Sequence, residues 1–132
     1  MKILAVDDSK SALDMVYDVL IQEGFEVIRA CDGKEGMLKL LNNYVGLIIT
    51  DLHMPYIDGI ELLRRVKRSH IHKLTPVIML TTESQRHKVL EAISLGVSAW
   101  VLKPFTPDNL LDTVKKVLDD RPNENSIQGR SI

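Results

Sequence analysis

The sequence VGLIITD at residues 45–51 decides the fold prediction, because it joins a short apolar run to a single closing acid, Asp51. A run of this kind is typical of a strand buried on both faces of a parallel sheet. The sequence KILAVDD at residues 2–8 repeats the pattern and ends in the acids Asp7 and Asp8. Both stretches therefore predict buried strands that carry carboxylates at their C-terminal ends.

Three further stretches, on either side of these two, also predict strands. They cover residues 25–30, 77–80 and 99–102, and the last two are closed by Thr81-Thr82 and by Lys103-Pro104. Apolar residues at helical spacing, preceded by capping residues, separate each strand from the next. The predicted helices follow Ser9, Asp32, Pro55 and Thr106, and the fourth in chain order covers residues 84–95.

The alternation of five strands with five helices predicts a parallel sheet covered by helices on both faces. Right-handed crossovers make this a doubly wound α/β fold, and an eight-stranded barrel would need about twice the length. A chain of 132 residues has room for one domain. We assign residues 1–119 to that domain. Residues 120–132 have little apolar content and are predicted to be a tail or a truncated linker.

Composition excludes several classes of protein. The chain is 45% hydrophobic and 27% charged, which is typical of a globular domain rather than a disordered one. Its single cysteine, Cys31, excludes an internal disulfide and favours a reducing compartment. The net charge of -1 gives no attraction to nucleic acid or to an anionic membrane, and no apolar run is long enough to span a bilayer. These observations predict a soluble cytoplasmic protein with no direct nucleic acid or membrane binding.

Ligands of an open parallel sheet bind beyond the carboxyl ends of its strands. Asp7, Asp8 and Asp51 would share one pocket there if their two strands are neighbours. Carboxylates at such close range raise one another's pKa unless a cation intervenes. Because oxygen-only ligation suits Mg²⁺, we interpret these acids as a candidate magnesium site.

A hydroxyl and an ammonium group close the neighbouring strands, at Thr81 and Lys103. Together they would hold a phosphoryl group, and Asp51 would be the nucleophile, since carboxylates form acyl phosphates. A metal, a positioned nucleophile and a cationic clamp are the parts that phosphoryl transfer requires. An acid at one strand end is usually a helix cap, but the whole set on four strand ends favours chemistry over coincidence.

Four motifs resemble the receiver domains of two-component response regulators, over about residues 2–119. They are VDDS at 6–9, TDLHMPYIDGIELL at 50–63, PVIMLTTE at 76–83 and WVLKPF at 100–105. The resemblance implies a flavodoxin-like receiver fold with strand order 2-1-3-4-5. It also implies a phosphorylation-activated signalling module, similar to the single-domain chemotaxis-type regulators, that works by altered partner binding.

The resemblance assigns a role to each residue at the strand ends. Asp51 matches the phosphoacceptor, which receives its phosphoryl group from a histidine kinase or a phosphotransfer protein. Asp8 matches the direct Mg²⁺ ligand, Asp7 the acid that reaches the metal through water, and the backbone carbonyl of His53 the third protein ligand. The remaining matches are Thr81 as the switch hydroxyl, Lys103 as the phosphoryl-binding lysine before a cis peptide bond to Pro104, and Trp100 as the aromatic switch.

The downstream partner is expected on the face formed by the fourth helix, the fifth strand and the fifth helix. A flagellar motor switch, a phosphorelay component and a kinase are the open alternatives for this target. The module would promote its own phosphoryl uptake and hydrolysis without being a turnover enzyme. A stand-alone regulator and a receiver cut from a longer protein both fit the sequence.

Some positions depart from the family pattern. His53 and Glu83 fall on positions that vary in the family and tune the lifetime of the acyl phosphate; His53 would either donate to the phosphoryl group or shield it from water. Thr82 is larger than the residue often found there. Trp100 replaces the commoner tyrosine or phenylalanine, and its larger ring makes an inward position harder to fill.

Three other classes of function agree less well with the sequence. A phosphohydrolase of the haloacid-dehalogenase type places its nucleophile in an Asp-x-Asp motif after the first strand, whereas this chain has Asp7-Asp8-Ser9. A flavodoxin-like electron carrier needs a hydroxyl-rich phosphate loop there, and the two acids would repel the phosphate. An interaction domain without phosphorylation would not need the complete set of site residues. We expect His70 and His72 to be solvated loop residues and Cys31 to be partly buried.

Overall fold

The computed structural model describes residues 1–120 of the chain. Five strands alternate with five α-helices, as predicted, and a 3₁₀ helix precedes the fourth α-helix. The strands are β1 (Lys2–Val6), β2 (Glu26–Ala30), β3 (Leu47–Asp51), β4 (Val77–Thr81) and β5 (Ala99–Leu102). The helices are α1 (Lys10–Gln22), α2 (Gly33–Asn42), α3 (Gly59–Arg68), α4 (Val89–Ser94) and α5 (Pro107–Asp120).

The five strands form one parallel sheet in the order β2-β1-β3-β4-β5, which confirms the predicted doubly wound topology. β1 and β3 are neighbours, and their register pairs Val6 with Thr50. Asp7 and Asp51 are the next residues after this pair, so they reach the same level of the sheet. The topology therefore brings acids from two distant parts of the sequence to one carboxyl edge.

The two faces of the sheet carry separate apolar cores, because alternate side chains of a strand point to opposite faces. In β1, Leu4 and Val6 pack in the cluster that includes residues of α2 and α3. Ile3 and Ala5 pack in the cluster that includes residues of α1 and α5. β3 and β4 are buried along their whole length, as their unbroken apolar runs predicted.

The prediction of a single helix over residues 84–95 is wrong in its first half. Glu83–Lys88 forms a 3₁₀ helix, and only Val89–Ser94 is α-helical. Short helices depend on a packed apolar face for their stability. This segment has almost none, since Ala92 is its single buried residue. The chain that follows Thr81 is thus held to the domain by little buried surface.

Two predictions about single residues are also wrong. Cys31 is exposed rather than partly buried, because it comes after the last residue of β2, beyond the edge of the sheet. His72 is buried rather than solvated, because its ring reaches α2 and places Nε2 3.1 Å from the carbonyl oxygen of Leu40. His70 in the same loop is exposed, as expected.

The start of the last helix agrees with its prediction. The hydroxyl oxygen of Thr106 accepts a hydrogen bond from the backbone N–H of Asn109 at 3.1 Å, and Pro107 is the first helical residue. Both features are typical of a helix N-terminus. The predicted tail lies outside the described residues, apart from Asp120 at the end of α5.

The loop between β3 and α3 folds back over the end of β3. The backbone N–H of Gly59 donates to the carbonyl oxygen of Leu52 at 2.8 Å, and a Cβ on Gly59 would lie 2.7 Å from the sulfur of Met79. Within this loop Tyr56 has φ +68°, and its side chain is 84% exposed. The left-handed region costs an L-residue roughly 1–2 kcal/mol unless it is glycine, asparagine or aspartate. Tyr56 is therefore a strained residue with little packing to compensate.

Replacing Tyr56 by asparagine should relieve this strain. We expect Tyr56→Asn to raise the free energy of unfolding by about 0.5–1 kcal/mol, because asparagine tolerates the left-handed region and little packing is lost. Urea denaturation measures the change, and Tyr56→Phe, which keeps the same backbone cost, is the matched control. An equal gain in both variants, or a loss in Tyr56→Asn, would contradict the strain argument.

Candidate functional site

Asp7 is held at the end of β1 by groups from two directions. Its side chain is buried, and Oδ1 accepts a hydrogen bond from the backbone N–H of Ser9 at 2.9 Å. Its Oδ2 accepts from Nζ of Lys103 at 2.8 Å. Ser9 also caps α1, since its hydroxyl oxygen accepts from the N–H of Ala12 at 3.4 Å. The turn that begins α1 thus sets the position of the Asp7 carboxylate.

Asp51 is the last residue of β3, and its two oxygens have different surroundings. Oδ1 accepts a hydrogen bond from the N–H of Leu52 at 3.0 Å and lies 3.3 Å from Nζ of Lys103. Oδ2 makes no hydrogen bond with any of residues 1–120. One oxygen of this buried carboxylate is anchored, and the other is available for chemistry.

Lys103 reaches the acids from the turn after β5. Its backbone N–H donates to the carbonyl oxygen of Thr81 at 2.6 Å, which continues the β4–β5 pairing past the strand. The following peptide bond to Pro104 is cis, as expected. The Lys103 ammonium lies between Asp7 and Asp51 and pairs with both. Four strands therefore contribute to one site.

Asp8 completes a cluster of three carboxylates. One oxygen from each of Asp7, Asp8 and Asp51 lies within 4.8 Å of the other two. Asp8 is exposed, and its side chain makes no hydrogen bond or ion pair within the described part of the chain. This all-oxygen, anionic set of donors fits Mg²⁺, which prefers carboxylates and water. His53 lies two residues beyond Asp51 in the same loop, and it is exposed.

The electrostatics of the site follow from burial and like charge. Burial, and then the neighbouring Asp7 carboxylate, raise the pKa of Asp51 to about 6, and Lys103 opposes only part of this rise. Burial alone would lower the pKa of Lys103, but its pairs with Asp7 and Asp51 raise it above the ordinary value. Without a further cation, three carboxylates share a single ammonium group, and one of them resists ionisation.

The predicted switch residues occupy different environments. Thr81 is fully buried, and its hydroxyl oxygen has no hydrogen-bond partner among residues 1–120. Trp100 lies on the edge strand β5 and is 46% exposed. The two residues that follow Thr81 have local partners: the Thr82 hydroxyl lies 3.0 Å from the Ser84 hydroxyl, and Glu83 pairs with Arg86 at 3.0 Å.

The sequence analysis missed the backbone groups that orient the acids. The N–H of Ser9 and the N–H of Leu52 hold Asp7 and Asp51, respectively. The first of these was detectable, because an aspartate that accepts from the residue two positions later forms an Asx turn. The motif VDDS contains that spacing. The second has no sequence signal, since every residue except proline carries an N–H.

A five-stranded sheet in this order, with three carboxylates, a threonine and a lysine at its carboxyl edge, defines a receiver-type α/β domain. A family model described as the response regulator receiver domain matches residues 3–115. The chain therefore belongs to the response regulator receiver family, whose members act in phosphorylation-activated two-component signalling. The comparisons give no support to the haloacid-dehalogenase alternative.

Known proteins resemble the chain over most of its length. It is 37% identical to chemotaxis protein CheY1 of Helicobacter pylori over 120 residues, which cover 89% of this chain and 97% of that protein. It is 35% identical to chemotaxis protein CheY of Pseudomonas aeruginosa, over 90% of this chain and 97% of that protein. The solved structure of the chemotaxis response regulator CheY4 of Vibrio cholerae matches with a TM-score of 0.83 and 40% identity, over 88% of this chain and 97% of that one.

Within residues 1–120, no helix combines the length and the apolar character that crossing a membrane requires.

The raised pKa of Asp51 predicts how the metal-free protein responds to pH. A carboxyl group whose pKa is higher in the folded state than in the unfolded state stabilises the fold at low pH, and that stability is lost as pH rises. In EDTA, the free energy of unfolding should fall between about pH 4 and pH 7, by at most roughly 3 kcal/mol. Asp51→Asn should remove this fall and be the more stable protein at pH 8.

Urea denaturation at several pH values measures the effect. Asp112→Asn, which removes an exposed carboxylate of α5, is the matched control and should keep the pH dependence of the wild type. If the free energies of unfolding of the wild type and Asp51→Asn change with pH in parallel, ionisation of Asp51 does not destabilise the fold and the prediction is wrong.

Proposed function

We propose that Asp51 accepts a phosphoryl group from the phosphohistidine of a histidine kinase or a phosphotransfer protein. The observation that carries the proposal is the Asp51 carboxylate, 3.3 Å from the Lys103 ammonium and within reach of two further acids. The free Oδ2 is the attacking oxygen, because Oδ1 is anchored by Leu52.

The transfer step is a displacement at phosphorus. Oδ2 of Asp51 forms the new O–P bond, and the P–N bond to the donor imidazole breaks. The electron pair of that bond stays on the imidazole nitrogen, which then takes up a proton. The Lys103 ammonium pairs with one oxygen of the transferred phosphoryl group. Negative charge that develops on that oxygen during transfer is therefore stabilised by a cation already in place.

Mg²⁺ would be held by Asp7, Asp8, Asp51 and the backbone carbonyl of His53. When bound, it supplies positive charge that offsets the carboxylates and the incoming phosphoryl oxygens. The Asp8 carboxylate has no hydrogen bond or ion pair within residues 1–120, whereas both oxygens of Asp7 are engaged by Ser9 and Lys103. This difference supports Asp8 as the direct ligand and Asp7 as a ligand through water.

The division of roles between the two acids predicts unequal effects on metal binding. Asp8→Ala should abolish measurable Mg²⁺ binding in calorimetric titration, because a direct ligand is lost. Asp7→Ala should weaken binding by about 10–100-fold, the usual effect of losing an outer-shell contact. Asp14→Ala, which removes an acid of α1 that pairs with Arg29, is the control and should bind as the wild type does. Equal losses in Asp7→Ala and Asp8→Ala would refute the assignment.

The acceptor itself is tested by mass. With acetyl phosphate and Mg²⁺, we expect the wild type to gain one phosphoryl group, seen in the intact mass, and to lose this gain when EDTA is present. Asp51→Asn should gain none. Asp58→Asn is the matched control, because Asp58 caps α3 in the next loop and asparagine caps as well. A stable acyl phosphate on Asp51→Asn would overturn the proposal.

We propose that Thr81 and Trp100 carry the signal away from Asp51. A buried hydroxyl without a partner costs roughly 1–3 kcal/mol, so a move of Thr81 to a phosphoryl oxygen recovers that energy. The move leaves space beside β5, and the half-exposed ring of Trp100 fills it. Burial of such a side chain contributes about 1–3 kcal/mol before strain is subtracted, which shifts a two-state population by about ten- to a hundredfold.

We propose that the altered surface is the face of α4, β5 and α5, and that it binds a downstream protein. Leu90, Ile93, Trp100 and Leu102 are exposed apolar residues of α4 and β5, which supports a protein partner there. Trp100 also lines an open cleft of about 540 Å³ with Lys116 and Val117 of α5, so rotation of the ring would reshape it. The chemotaxis proteins among the relatives support a target in the same kind of pathway.

We further propose that residues 1–119 act as the receiver, that residues 120–132 are a tail, and that the protein works in the cytoplasm without direct nucleic acid or membrane binding. The family match ends at residue 115, which supports this division. The single cysteine, Cys31, supports a reducing compartment such as the cytoplasm. The module signals and catalyses only its own phosphoryl uptake and hydrolysis.

The fluorescence of Trp100 tests the switch, because it is the single tryptophan of the chain. Beryllofluoride with Mg²⁺ should shift the emission to shorter wavelength and reduce quenching by acrylamide, since the ring leaves water. Thr81→Ala should blunt the shift, while Thr106→Ala, a change at the cap of α5, should keep it. An unchanged signal with Asp51 demonstrably occupied would mean that the protein signals by another route.

A further inference from the structure

Four large apolar side chains lie exposed at the edge of the sheet opposite Asp51. They are Leu41, Tyr44, Ile71 and Leu74, which are between 69% and 78% exposed. Leu41 is in the last turn of α2, Tyr44 precedes β3, and the other two are in the loop before β4. We call these four residues the edge surface. None of the four belongs to the phosphoryl site, and one of them, Leu74, also lines the cleft of about 540 Å³ that Trp100 forms with α5.

Buried contacts hold the edge surface in place. The ring of His72 stacks on Tyr44 at 6.1 Å between centroids, and its Nε2 lies 3.1 Å from the carbonyl oxygen of Leu40 in α2. The hydroxyl of Thr75 donates to the carbonyl oxygen of Val45 at 3.5 Å. These contacts fix the α3–β4 loop to α2 and to the segment just before β3. The exposed apolar residues of the edge surface are therefore held in defined positions.

The edge surface is concave rather than flat. Ile71 lines two clefts: one of about 530 Å³, which it shares with Tyr44 and Leu74, and one of about 140 Å³, which it shares with Leu41. Adjoining clefts with apolar walls accept side chains from a partner and can desolvate them fully. The shape therefore fits an amphipathic segment whose apolar residues enter both clefts.

The lysine and arginine side chains that line the clefts have no acidic counterpart in the lining. Lys2 and Lys73 line the larger cleft, Arg65 lines the smaller one, and no carboxylate of residues 1–120 lines either. Lys2 and Arg65 already pair with acids of the chain, whereas the Lys73 ammonium has no ion pair within the described residues. A partner with carboxylates beside its apolar residues would match this rim.

We propose that the edge surface is a second docking site, which binds an acidic amphipathic segment of a partner protein. Two copies of this chain would bring rims of the same charge together in a symmetric interface, which disfavours a homodimer. An anionic membrane is disfavoured because lipid-binding clusters carry about 4–8 basic residues. Three lysine or arginine residues line these clefts, and of the three Lys73 alone has no ion pair within residues 1–120. The site lies away from Asp51, so it binds its partner independently of the phosphoryl chemistry.

The test uses two synthetic probes on the full chain. One is a fluorescein-labelled amphipathic helical peptide of leucine and glutamate, and the other is the same peptide with lysine in place of glutamate. We expect the acidic peptide to bind, by fluorescence anisotropy, and the basic peptide to bind at least about tenfold more weakly. Amide chemical shifts should change mainly in residues 38–46 and 69–76.

Surface variants assign the binding to these residues. Ile71→Ser combined with Leu74→Ser should weaken binding of the acidic peptide by about tenfold or more, and Lys73→Glu should weaken it by at least about threefold. The matched control is Leu90→Ser combined with Ile93→Ser, which removes exposed apolar residues of α4. It should leave binding within about twofold. Circular dichroism confirms that each variant is folded.

Several results would overturn the proposal. The first is that the acidic peptide does not bind, and the second is that the basic peptide binds equally well. The third is that the chemical shift changes centre on α4, β5 and α5. The fourth is that the α4 control loses as much affinity as Ile71→Ser with Leu74→Ser. Tighter binding to vesicles of equal parts phosphatidylcholine and phosphatidylserine would assign the surface to a membrane instead. A dimer in sedimentation that Ile71→Ser with Leu74→Ser dissociates would assign it to a second copy of the chain.

Discussion

The repulsion among three carboxylates at one edge of the sheet is the constraint on which the rest of the site depends. Asp7 and Asp51 are buried there, and their charges are compensated within the described chain by a single ammonium group, that of Lys103. The compensation is incomplete, since the pKa of Asp51 remains raised to about 6. A site in this condition gains from any added positive charge, which is why a carboxylate cluster and a divalent cation belong together.

The same edge of the sheet also contains a buried polar group whose hydrogen bonding is unsatisfied. The buried hydroxyl of Thr81 has no partner among residues 1–120, and Trp100 on the neighbouring strand is half exposed. In the switch that we propose, a new anionic group at Asp51 offers the hydroxyl a partner, and the move of Thr81 gives the ring a space to occupy. The segment after Thr81 buries only Ala92, so its displacement breaks few contacts. A change in charge at one atom can therefore reach an exposed surface at modest cost.

Residues whose environment follows from strand order were predictable, and residues held by distant backbone groups were not. Asp7, Asp51 and Lys103 follow apolar runs, and a parallel sheet places the ends of such runs together. The role of each came from the resemblance of the motifs rather than from spacing. The sequence around His72 predicts a polar loop residue. In the structure its ring contacts the carbonyl oxygen of Leu40, 32 positions earlier in the sequence, and the loop sequence contains no signal for that contact. The prediction of one helix over residues 84–95 was wrong for a similar reason. Its apolar residues have helical spacing, but in the structure Ala92 is the one residue of this segment that is buried.

The sequence by itself determined the alternation of strands and helices, the acids and the lysine at the strand ends, and the class of chemistry they support. These features are local: apolar periodicity, capping residues and turn residues act over a few positions. The tertiary structure alone decided which oxygen of Asp51 has no partner among residues 1–120, that the Thr81 hydroxyl has none there either, and that the buried ring of His72 contacts Tyr44 and α2 beneath exposed apolar residues. Each of these depends on atoms that lie far apart in the sequence, and only the packed sheet and its helices bring such atoms within a few ångströms of one another.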